Sequence, residues 1–117
     1  MKIRLINPKG RQAARLRGRK RQLLARVRLP PQGLPGSLAL THRRCGKASC
    51  HCARGKGHPV WSLTFMRRGR KRVERIPDAW VEEVRQRVEK GRKFKEGVGE
   101  VFALNAQLLA LGRKQQR

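Results

Sequence analysis

The sequence predicts a small α+β protein with an N-terminal basic helix or arm, a zinc-knuckle-like loop, a β-hairpin and two C-terminal helices. Three observations predict it. All three cysteines, Cys45, Cys50 and Cys52, lie within eight positions and are followed by His58. Residues 61–65 alternate apolar and polar side chains, the period of a half-buried strand. Apolar residues on both sides of that region recur at helical spacing. The chain divides at 1–37 (basic arm with one helix and a Pro/Gly linker), 38–77 (metal loop and hairpin) and 78–117 (C-terminal helical segment).

Residues 1–10 read as irregular, with Asn7-Pro8 and Gly10 as breakers. A helix is predicted from Arg11 to Leu29. Ala13, Leu16, Leu23, Leu24 and Val27 fall near one face, and arginine and lysine fill the other. Pro30-Pro31 ends this helix, and residues 32–36 form a turn-rich linker.

In the cysteine segment, Gly46, Gly55 and Gly57 permit tight turns. Trp61, Leu63 and Phe65 then mark a strand. Arg67-Arg68-Gly69-Arg70-Lys71 is a basic hairpin turn, and Arg72 to Ile76 is the return strand. Asp78 reads as the N-cap of a helix whose apolar face is Trp80, Val81, Val84 and Val88, and Gly91 as its break. The last helix covers about Arg92 to Leu111. Phe94, Val98, Val101, Asn105 and Leu108 are spaced 4, 3, 4, 3, a short heptad seam widened by Leu104 and Leu111. This seam either packs on the hairpin or forms a partner interface for a recombinase, a nuclease or a second copy of the chain.

Composition bounds the function. The 117 residues hold 31 Lys and Arg against 7 Asp and Glu, a formal charge of +24. Twenty-one of the bases precede Glu74, the first carboxylate side chain. Such density opposes compaction unless an anion relieves it. With 38% hydrophobic residues, three Phe, two Trp and no Tyr, the core is small and calls for a staple. Three crowded cysteines do not make a secreted disulfide framework. No apolar h-region follows Met1 to Leu5, and no run approaches the roughly 18 apolar residues of a membrane span. The expectation is a reduced, cytoplasmic protein, associated with a nucleoid or a ribonucleoprotein, with no membrane partner.

Zinc favours a tetrahedron of thiolate and imidazole ligands, and Cys45, Cys50, Cys52 and His58 supply four. His42 and His51 are alternatives for the fourth position. Three thiolates on Zn²⁺ leave a charge of about −1, which Arg43, Arg44, Lys47, Arg54 and Lys56 offset. A full ligand set indicates a structural metal, because a catalytic site keeps a position open.

Three basic clusters are candidate nucleic-acid contacts. Arg15, Arg17, Arg19, Lys20, Arg21, Arg26 and Arg28 line the first helix. Arg43, Arg44 and Lys47 flank the first cysteine. Arg67, Arg68, Arg70, Lys71 and Arg72 cap the hairpin. Arginine suits bidentate phosphate contacts. The target is DNA or RNA, bound through phosphate and sensitive to salt. The metal loop is expected to hold Arg43, Arg44 and the hairpin tip around that polyanion. An enzyme is not expected. The single aspartate, Asp78, reads as a cap, and no convergent carboxylates for a two-metal nuclease are evident.

Pro35-Gly36-Ser37-Leu38, the R-x-C-G-K-x-x-C-x-C core from Arg43 to Cys52, Gly57-His58-Pro59, Trp61 to Arg75 and the Asn105-x-x-Leu108 tail carry a resemblance. Over about Leu16 to Leu109 the chain resembles a family of small uncharacterised bacterial proteins, a domain of unknown function often encoded on mobile elements. Where members of that family read H-G-P-Y, this chain reads His58-Pro59-Val60-Trp61 and lacks the glycine. The resemblance implies the architecture and a mobile-element setting, and brings no activity. A structural ribonucleoprotein component is the alternative function class.

Overall fold

The computed structural model describes residues 4–116. Its order is helix α1 (Arg11–Arg26), strand β1 (Ser37–Arg43), a 3-10 turn (His51–Arg54), β2 (His58–Arg67), β3 (Arg70–Ile76), a second 3-10 turn (Asp78–Trp80) and helix α2 (Val81–Gln115). The fold class is small α+β, with an N-terminal helix, a cysteine-rich loop, a three-stranded antiparallel sheet and a long C-terminal helix. The described residues form two compact units, 31–92 and 4–30 with 93–116. Among the described residues, no helix is long and apolar enough to cross a membrane.

The sheet has the order β1-β2-β3, so β2 is central. Ser37↔Thr64 through Arg43↔His58 pair on one side, and Trp61↔Ile76 through Arg67↔Arg70 on the other. The predicted hairpin is therefore β2-β3, and β1 is an added strand that the sequence reading left inside the linker and metal loop. Its residues are almost all exposed, and its alternation of Leu38 and Leu40 with Ser37, Ala39 and Thr41 is short. Arg68 (φ 51°) and Gly69 (φ 78°) close β2-β3 with two left-handed residues, the requirement of a type I′ turn.

Side chains alternate across a sheet. Leu38, Trp61, Leu63 and Ile76 share one face by register. Arg85 of α2 stacks its guanidinium 5.4 Å from the Trp61 ring centroid, so α2 covers that face. Val81, Val84 and Leu63 are buried there. Trp80, predicted on the apolar face, is 61% exposed, because it lies in the 3-10 turn before the helix. Asp78 makes no capping hydrogen bond; it sits within that turn, with Pro77 at the cap position.

The two predicted C-terminal helices are one helix of 35 residues. Gly91 does not break it. A Cβ at Gly91 would lie 2.6 Å from the carbonyl oxygen of Leu34, so glycine there permits close approach. The Leu34 N–H donates to the Arg87 carbonyl, 3.0 Å away, and fixes this contact.

In the other unit, α1 ends at Arg26, before the predicted Leu29, as Val27 turns extended ahead of Pro30-Pro31. Ala13 is fully buried, whereas Leu24 is 53% exposed. The C-terminal apolar stripe packs with this N-terminal region. A Cβ at Gly97 would meet the Val27 side chain at 2.7 Å. Val101, Leu104 and Leu108 are the buried residues of the stripe, Phe94 and Val98 are half-buried, and Asn105 is exposed. The predicted polar position thus lies outside the buried seam. Gln115 exchanges hydrogen bonds with the Lys9 backbone (2.8 and 2.6 Å), tying the N-terminal stretch to the end of α2.

Candidate metal centre

The β1-β2 pairing builds the site. Arg43 faces His58 in register, so residues 44–57 leave and re-enter the sheet at neighbouring points. Cys45 lies two residues beyond that closing pair, and His58 is part of it. Gly57 makes the closure possible. Its φ is +91°, and a Cβ there would fall 2.5 Å from the Arg43 carbonyl carbon. Gly46, with φ +86°, turns the chain directly after Cys45. The Cys50 N–H donates to Lys47 O (3.1 Å) and the Ala53 N–H to Cys50 O (3.0 Å), and these turns lead into His51–Arg54.

This path brings Cys45, Cys50, Cys52 and His58 together, with their ligand atoms all within 4.8 Å of one another. Cys50 Sγ is 3.2 Å from His58 Nε2, and the sulfurs of Cys45 and Cys52 are 3.4 Å apart. The cysteines are free. With Zn–S near 2.3 Å, a tetrahedron places its ligand atoms about 3.8 Å from one another, so the donor set fits a four-coordinate metal. Cys52 is 2% exposed, Cys50 and His58 are half-buried, and Cys45 is exposed. Of the alternative histidines, His51 sits edge-on to the His58 ring at 5.5 Å, outside the four donors. His42 is exposed on β1 opposite Pro59.

The cysteines differ electrostatically. The Lys47 backbone N–H, then hydrogen bonds from Cys52, His58 and Cys50, lower the Cys45 thiol to about 6. At Cys52 the Cys45 N–H, 3.4 Å away, pulls downward. Burial and the adjacent Cys45 and Cys50 thiols outweigh it and leave that thiol raised.

The family model for a domain of unknown function (DUF6788) matches residues 13–86. The chain belongs to this family. The DUF6788 match takes in most of α1, the whole metal loop, the sheet and the start of α2. No curated protein and no solved structure matches the chain significantly.

The basic residues predicted to contact nucleic acid occupy distinct places. Arg17 is turned to structural use: its Nη2 donates to Pro8 O (2.7 Å) and Asn7 Oδ1 (3.0 Å). Arg19 pairs with Glu100 at 3.3 Å on the surface. Arg15, Arg21, Arg26 and Arg28 are exposed, and Lys20 is half-buried. Arg44 donates through Nε to Gly55 O (3.3 Å), bracing the metal loop, while Arg43 and Lys47 are exposed. Arg67, Arg68, Arg70, Lys71 and Arg72 are all exposed.

The metal loop joins the start of β2 and the hairpin tip its end, so these basic clusters are separated by the length of the strand, roughly 30 Å. Sequence reading also passed over Arg75. The register places it on the same face as Lys71 and opposite Glu74, and the signal for this was the period of two along β3.

Proposed function

We propose that this DUF6788 protein is a zinc-stapled, non-catalytic nucleic-acid-binding accessory protein. The observation that carries the reading is the convergence of Cys45, Cys50, Cys52 and His58 beside a sheet whose cations form no ion pair among the described residues. The four ion pairs among the described residues use the α2 carboxylates Glu82, Glu83, Glu89 and Glu100. None involves a cation of the strands or the metal loop. A polyanion is the natural counterion for such a surface.

Zinc in the four-donor site would hold β1 against β2 and supply no chemistry beyond that. Cys45, Cys50 and Cys52 would bind as thiolates and His58 through Nε2, the atom that faces Cys50. The exposed arginines of α1 and of the hairpin tip would grip phosphate. A mobile-element setting belongs to the same proposal and rests on the motif resemblance alone.

Crosslinking in cells followed by sequencing of the bound nucleic acid, at two salt concentrations, tests the reading. Recovery of nucleic acid that falls steeply with salt supports it. Enrichment of ribosomal RNA that resists salt would favour a structural ribonucleoprotein component. Recovery no higher than from untagged cells would overturn both.

A further inference from the structure

The sheet has one face covered by α2 and one face exposed along both of its rims. By register the second face carries Ser37, Ala39, Thr41 and Arg43 on β1, His58, Val60, Ser62, Thr64 and Met66 on β2, and Lys71, Val73 and Arg75 on β3. Every one of those β1 and β3 residues is exposed. Met66 is 62% exposed and Val73 50%, although both are apolar. Val60 and Ser62, in the middle, are buried. The sheet's carboxylate, Glu74, alternates to the α2 side, opposite Leu63. Among the described residues, the exposed face therefore bears cations and hydroxyls and no acid.

We propose that this face is a binding surface for the phosphodiester backbone of nucleic acid, with Lys71, Arg75 and Arg43 as its phosphate contacts. It rests on the proposed nucleic-acid binding and names the surface that performs it. Lys71 and Arg75 stand on one side of β3 about 13 Å apart. Arg43 lies two strands across, level with His58 where Arg75 is level with Ser62, so it stands about 16 Å from Arg75 and about 28 Å from Lys71. Lys71 and Arg75 flank the exposed Val73 and the half-buried Thr64, and Arg43 marks the metal-loop end of the face. Charge complementarity selects the occupant, because an acid-free face framed by cations suits a polyanion. The sheet's aromatics, Trp61 and Phe65, point to the α2 side. The ring on this face is the half-buried His58, which belongs to the metal site, and no exposed ring is left among the described residues for a base to stack on, so the face binds backbone and tolerates any sequence.

The test measures binding of the full chain to a fluorescein-labelled mixed-sequence oligonucleotide, single-stranded and duplex, across a salt series. Two double variants with equal loss of charge are compared: Lys71→Ala/Arg75→Ala on this face, and Lys93→Ala/Lys95→Ala on the exposed surface of α2. All four side chains are exposed, and zinc content and circular dichroism verify the fold of each variant. The sheet variant is expected to bind at least tenfold more weakly, with the slope of log K against log salt reduced by about two. The α2 variant stays within about threefold of the unsubstituted protein, as charges away from the contact act only at long range. Equal losses in the two variants, or an unchanged sheet variant, would overturn this inference while leaving nucleic-acid binding intact. An unsubstituted protein that binds neither form would overturn both.

Discussion

Cys50 Sγ lies 3.2 Å from His58 Nε2, although the two are eight positions apart in sequence. Two strands and a glycine create this proximity. β1 and β2 pair from Ser37↔Thr64 to Arg43↔His58, and Gly57 lets the chain return against the Arg43 backbone. The sheet thus delivers the imidazole, and the loop's own turns deliver the thiols.

The ligand assignment predicts an ordered mutational series. Cys52→Ser removes the most buried donor and abolishes stoichiometric zinc, with a loss of several kcal/mol because structural zinc contributes on the order of 10 kcal/mol. His58→Ala does the same. His42→Ala and His51→Ala retain full zinc. Metal analysis of the purified variants distinguishes them, and loss of zinc in His51→Ala with retention in His58→Ala would reassign the fourth ligand.

Metal retention should depend on pH in a definite direction. The folded loop lowers the Cys45 thiol to about 6 from an ordinary 9.0, so it favours the thiolate that a metal needs. That contribution is complete above the ordinary value and is lost as pH falls through about 6. The raised Cys52 thiol works in the opposite sense. Zinc release followed with a colorimetric chelator is therefore predicted to grow as pH drops below about 6 and to be minimal at pH 8. Release that increases on going from pH 6 to 8 would contradict the assignment.

Two glycines of α2 should respond in opposite ways to alanine. Gly99→Ala meets open space in a helix and should stabilise by about 0.5–1 kcal/mol. Gly91→Ala gains the same propensity but drives a methyl into the Leu34 backbone, and should cost about 1–3 kcal/mol net. Denaturant midpoints of the two variants give the sign directly.

These elements show what was legible in the sequence. Ligands within fourteen residues, and the alternation from Trp61 to Phe65, are local signals and were readable. The fourth ligand was left among three histidines because the choice depends on strand register, which puts His58 opposite Arg43. β1 is hard to read because its alternation, Leu38 and Leu40 against Ser37, Ala39 and Thr41, spans only five residues between the Pro/Gly linker and the cysteine loop. Gly91 was read as a break because helix propensity cannot see the Leu34 backbone beside it. Asn105 fell into a heptad pattern that the packed helix does not use, since its buried residues there are Val101, Leu104 and Leu108.

The most direct test of the account is the zinc content of protein purified without added metal, paired with far-ultraviolet circular dichroism before and after chelation. The account predicts about one zinc per chain and loss of ordered structure, with all three thiols becoming titratable, when the metal is removed. A metal-free protein that is fully folded, with its three thiols freely titratable from the outset, would contradict it.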